Sequence, residues 1–165
     1  MIAITGAGEY LDIIRPYDEI LLNKLKDDPY VLCFPTAAGL ESEERIQYWL
    51  DLGDEHFAKL NVNHKSIRAL NVNDYNKPET LAEIEKANFI YFSGGNPNHL
   101  YDTLSSSLAW EKLLSIHNNG GILAGCSAGA MIMGEKMNKG KGFGFFKNSM
   151  VLPHWNEVLL SLIHI

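Results

Sequence analysis

Gly121-Ile122-Leu123-Ala124-Gly125-Cys126-Ser127-Ala128-Gly129-Ala130, followed by Met131-Ile132-Met133-Gly134, is the stretch that decides the fold of this chain. Its apolar run reads as a short buried strand, its small residues as a tight turn around a central serine, and the rest as the start of an apolar helix. Strand, turn and helix in that order are the layout of a nucleophile elbow. Glycines two before and two after the serine let the backbone bend sharply without a Cβ clash. The bend lifts the Ser127 hydroxyl above the sheet edge and leaves the next backbone N–H, that of Ala128, free to stabilise an oxyanion. Cys126 is the rival nucleophile, but it stands one residue early in the glycine frame. A one-residue offset at a strand end turns a side chain to the other face, so Cys126 is expected to point into the core.

Outward from this stretch, strand-like and helix-like segments alternate almost from end to end. Strands are expected at Ile2–Thr5, Tyr30–Phe34, residues 66–70, Phe89–Phe92 and residues 122–124. Each is short, apolar on both faces and bounded by Gly, Pro, Asn or Asp, as buried parallel strands are. Helical patterns fill the gaps at 16–26, 42–60, 78–87 and 108–117. The second has Ser42 as its N-cap and Glu43 and Glu44 in its first turn, and the fourth ends at Asn118-Asn119-Gly120-Gly121. Strands alternating with helices imply right-handed crossovers and a parallel sheet covered on both faces, a three-layer α/β/α sandwich.

In such sheets ligands bind beyond the carboxyl ends of the strands. The polar and glycine-rich segments fall at those ends: Gly6-Ala7-Gly8-Glu9, Pro35-Thr36-Ala37-Ala38-Gly39, Ser93-Gly94-Gly95-Asn96-Pro97-Asn98 and the Ser127 turn. Paired glycines allow close backbone approach to a ligand, and the Gly95 N–H is a candidate second oxyanion donor. Asn96 can serve a substrate, cap a helix begun at Pro97, or do both. His154, in Val151-Leu152-Pro153-His154-Trp155, follows the serine in chain order as in α/β hydrolases. The Gly6-Ala7-Gly8 turn is not a dinucleotide site: Leu11 stands where a third glycine is needed, and no acidic residue clearly ends the second strand.

The remaining composition narrows the class. At 165 residues, 46% hydrophobic and 21% charged, the chain is expected to fold as a single domain spanning 1–165. Its formal net charge of −6 offers no basic face for nucleic acid. No apolar run approaches the length of a membrane span, and the start has neither the basic residues nor the length of a signal peptide. The two cysteines, Cys33 and Cys126, lie in or beside apolar strands and are expected to be buried thiols, which fits a cytoplasmic protein. No metal-ligand spacing appears, and no cofactor is expected.

Gly6-Ala7-Gly8-Glu9, Pro35-Thr36-Ala37, Phe92-Ser93-Gly94-Gly95-Asn96 with Leu100, Gly125-Cys126-Ser127-Ala128-Gly129-Ala130, Gly142-Phe143-Gly144-Phe145 and Leu152-Pro153-His154 together resemble the peptidase E group, peptidase family S51. That group comprises aspartyl dipeptidases with cyanophycinase relatives. The resemblance runs in order over essentially the whole chain. It implies a flavodoxin-like fold akin to class I glutamine amidotransferases, with Ser127 as nucleophile, His154 as general base, and Gly95 and Ala128 N–H groups as the oxyanion hole. Members of the family typically continue for tens of residues past the histidine, with further strands and an acidic third triad member. Here the sequence ends eleven residues after His154, and Glu157 is the only carboxylate in that tail. Glu9 and Glu135 are earlier carboxylates that could reach the rim, and the third acid is left unassigned. The expectation is a serine peptidase acting on short peptides, aspartyl dipeptides among them, on a chain lacking the family's C-terminal strands. A second copy could cover the sheet edge so exposed. Two other readings stand beside it: a catalytically impaired homologue serving as a binding or assembly module, and an esterase or amidase using the same elbow.

Overall fold

The computed structural model describes residues 1–154. Its central sheet has five parallel strands, β1 (Ile2–Thr5), β2 (Tyr30–Phe34), β3 (Asn63–Ser66), β4 (Phe89–Phe92) and β5 (Ile122–Cys126), in the order β1-β5-β4-β2-β3. The helices α1 (Arg15–Leu22), α2 (Glu43–Lys59), α3 (Val72–Tyr75), α4 (Pro78–Lys86), α5 (Pro97–Ser105), α6 (Ala109–Asn118) and α7 (Ala128–Met131) connect and follow these strands. A small second sheet, β6 (Gly134–Met137), β7 (Gly140–Lys141) and β8 (Phe146–Met150), comes after the elbow, with β6 in the middle.

Alternation along the inner strands makes the layers. Leu32, Phe34, Ile90, Phe92 and Leu123 face one core, where they meet Tyr75, Ile84, Leu100, Leu104 and Leu113 from α3 to α6. Val31, Cys33, Phe89, Tyr91, Ile122, Ala124 and Cys126 face the other, against Leu22 of α1 and Phe57 of α2. Successive strand side chains point to opposite faces, so a continuous apolar run is what a sheet buried on both sides requires. Beneath α1 and α2, His56 Nε2 lies 2.8 Å from Asp18 Oδ2, with both side chains buried. This pair pins the two helices together.

The third strand lies three residues earlier than the apolar run at 66–70 suggested. After α2 the chain turns through Asn61, at φ 54°, directly into Asn63-His64-Lys65-Ser66. That strand pairs only with β2 and is an edge, so alternating polar residues suit it better than an apolar run. Ala69 and Ile67 pack past the end of the sheet. Helix α1 stops at Leu22 rather than at residue 26, and β5 runs on to Cys126. Ser42 caps α2 as expected, its hydroxyl accepting from the Arg45 N–H. Among the described residues no helix is long and apolar enough to cross a membrane.

Burial also sets the alkaline limit of the fold. Desolvation pushes Tyr10, Tyr75, Tyr91 and Cys33 up, and carries Tyr30 and Cys126 up to about 12. These groups keep their protons in the folded chain at a pH where the unfolded chain releases them. Their contribution is therefore intact below about pH 9 and is lost as the pH climbs toward 12. We expect urea midpoints that hold to pH 9 and then fall steeply, read by circular dichroism across a pH series.

Candidate active site

Ser127 sits between β5 and α7 at φ 50° and ψ −109°, a conformation that costs a non-glycine residue about 1–3 kcal/mol. The neighbouring glycines leave no alternative packing. A Cβ on Gly125 would lie 2.3 Å from the carbonyl of Gly129, and one on Gly129 would lie 2.2 Å from the Phe92 carbonyl oxygen in β4. The Ser127 N–H donates to the Thr5 carbonyl at 3.2 Å, tying the elbow to β1. Ala128 opens α7, and the first N–H groups of a helix have no intrahelical acceptor.

His154 arrives at this turn from the other side. Beyond β8 the chain runs back over the end of β1, where the His154 N–H donates to the Gly6 carbonyl at 3.4 Å. A left-handed backbone, φ 53°, aims the ring inward, and its Nε2 lies 3.1 Å from Ser127 Oγ. The two side chains that the sequence singled out are thus in hydrogen-bond contact.

Gly94 and Gly95 follow β4. Gly95 has φ 138°, and a Cβ there would lie 2.4 Å from the Ala37 backbone. The close approach that Gly95 permits is therefore to the Thr36–Ala38 turn after β2, where the Asn96 N–H also donates to Ala37 at 2.7 Å, whereas Gly94 faces Glu9 and Ser127. Asn96 caps α5, its side-chain oxygen accepting from the N–H groups of Asn98 and His99. Gly95 lines a cavity of about 220 Å³ together with Glu9, Glu41, Arg45, Trp49, Gly94, Ser127 and His154, and Asn96 is not part of this wall. The Arg45 guanidinium lies over the Tyr48 and Trp49 rings and 3.5 Å from Glu41. Two larger hollows, about 420 and 430 Å³, lie at the amino ends of the strands, around Pro29 and around Asn88 and Gly121. Neither contains a paired nucleophile and base, and the carboxyl rim is where parallel sheets hold ligands.

Glu9 is the residue whose place the sequence left open. It is buried, its Oε1 accepting from the Gly94 N–H and its Oε2 from Cys126 Sγ, each at 2.9 Å. A carboxylate just past a glycine turn at a strand end was the one available signal. Glu135 lies away from the cavity wall, accepting from the Asn148 N–H between β6 and β8. Glu157 and Trp155 lie outside the described residues. Among the described residues no three His, Cys, Asp or Glu side chains gather to hold a metal ion.

Cys126 points into the core beneath α1 and α2. Desolvation, and then its hydrogen bond to Glu9, push its thiol up to about 12. At neutral pH the thiol therefore keeps its proton, and the thiolate is the nucleophilic form. We expect iodoacetamide at neutral pH to leave Cys126 unmodified in the folded protein and to modify it in urea, read by peptide mass spectrometry.

The fold and the elbow define a parallel α/β protein with a serine–imidazole contact at its carboxyl rim. The model of peptidase family S51 matches residues 1–155, and the chain belongs to that family. Among solved structures it is similar to a peptidase from an acI-B1 Actinobacterium, with 34% identity and a TM-score of 0.90 over 97% of this chain and 70% of that one. A candidate peptidase E from Listeria monocytogenes EGD-e shares the fold, at 20% identity and a TM-score of 0.57 over 80% of this chain and 60% of that one. No curated protein matches the chain.

Proposed function

We propose that this peptidase hydrolyses short peptides by serine chemistry, with aspartyl dipeptides as the first substrates to test. Ser127 Oγ attacks the scissile carbonyl carbon while His154 Nε2 takes its proton. The N–H groups of Gly95 and Ala128 hold the oxyanion of the tetrahedral intermediate. The imidazolium then gives its proton to the leaving amine as the C–N bond breaks, and water repeats the sequence on the acyl-enzyme, releasing the acid. The 3.1 Å contact between Nε2 and Oγ at the cavity wall carries this reading. A cavity of about 220 Å³ suits a ligand smaller than the drug-sized molecules held in sites of about 300 Å³ and above. The buried thiols of Cys33 and Cys126 are in keeping with a cytoplasmic setting. The test is a fluorophosphonate probe followed by peptide mapping. Labelling at Ser127 supports the assignment, and a folded chain that stays unlabelled overturns it.

A further inference from the structure

We propose that Glu9 is a positioning residue that fixes the distance between the oxyanion loop and the elbow. This rests on Ser127 being the nucleophile. The loop after β4 is held on its outer side by backbone bonds to β2 and the turn beyond it: Ser93 N–H to the Phe34 carbonyl, and Asn96 N–H to that of Ala37. On its inner side, facing the elbow, the polar link is Glu9. One carboxylate oxygen takes the Gly94 N–H and the other takes the Cys126 thiol, so a single rigid group spans the residue before Gly95 and the residue before Ser127.

Glu9 is itself held from behind. Tyr10, at φ 63°, turns the opposite way into the core, with its ring 4.9 Å from Tyr91 and 5.8 Å from His56. Gly94 makes the contact possible, since a Cβ there would lie 2.7 Å from Glu9 Oε1 and 3.3 Å from the Ser127 Cβ. Oxyanion donors act only if they stand where charge develops before the reaction starts, and an ångström of drift costs about 10²-fold in rate. A clamp of fixed length across the two loops prevents that drift.

Length and charge can be separated. Glu9→Gln keeps the length and an acceptor oxygen for Gly94 but removes the charge. Glu9→Asp keeps the charge and shortens the reach by one methylene. The experiment measures saturable fluorophosphonate labelling of Ser127 in the parent chain and in both variants, beside thermal melts that verify folding. A clamp predicts that Glu9→Asp labels at least about tenfold more slowly at saturation, with the half-saturating probe concentration unchanged. Glu9→Gln should stay within about threefold of the parent. Equal rates in all three, or Glu9→Asp faster than Glu9→Gln, overturn the clamp while leaving the nucleophile in place. A parent chain that is not labelled at Ser127 overturns the nucleophile assignment and the clamp with it.

Discussion

On the proposed serine mechanism, Ser127→Ala should lower turnover of a short peptide substrate by about 10⁴-fold or more while leaving the melting temperature nearly unchanged. The hydroxyl's hydrogen bond is to His154, and that contact is only partly buried, so its loss leaves no deeply buried group stranded. His154→Ala should cost nearly as much, because an alcohol without a base at hydrogen-bond distance is a poor nucleophile at neutral pH. The double variant should be scarcely worse than either single one. Groups that act as a unit are lost as a unit. An initial-rate assay on the three variants decides the matter, and multiplicative losses would mean that the two side chains act separately. Ser127→Ala that retains the parental rate would remove Ser127 from the reaction altogether.

The second large effect is on stability. Gly129→Ala should destabilise the fold by about 4 kcal/mol or more, read as a shift in urea midpoint. The added methyl would lie 2.2 Å from the carbonyl oxygen of Phe92, whose strand is paired on both sides by β2 and β5 and cannot move away. Gly120→Ala provides the control. Nothing lies within 4 Å of a methyl there, and the cost is that of φ 94° alone, about 1 kcal/mol. Similar losses at the two positions would mean that the elbow has slack and that its glycines serve conformation rather than packing.

Legibility differed by region for physical reasons. Strands buried on both faces carry unbroken apolar runs, so β2 and β4 lie where the sequence put them, and β1, an edge strand that is only partly buried, was legible from the same apolar run. The edge strand β3 has one paired side and a polar pattern, so the apolar run after it drew attention to the wrong residues. The small sheet β6, β7 and β8 was not foreseen at all. Its strands are short, β7 and β8 are largely exposed, and β6 takes both its partners from the chain that follows it. The glycine pair at Gly94 and Gly95 was legible as a place of close approach. What approaches is the protein itself, the Glu9 carboxylate and Ser127 at Gly94 and the Ala37 backbone at Gly95, long-range partners that no local pattern contains.

Local chemistry in the chain determined the layered α/β fold, the turn at Ser127 and its family, because periodicity, small residues and turn geometry act over a few neighbours. The tertiary structure alone decided which groups meet. It brought the imidazole of His154 to Ser127 across 27 residues, and the carboxylate of Glu9 to Cys126 across 117. Such meetings depend on strand order and on the path of the chain over the sheet. Strand order is set by the summed packing of both cores, so no short stretch of sequence encodes it.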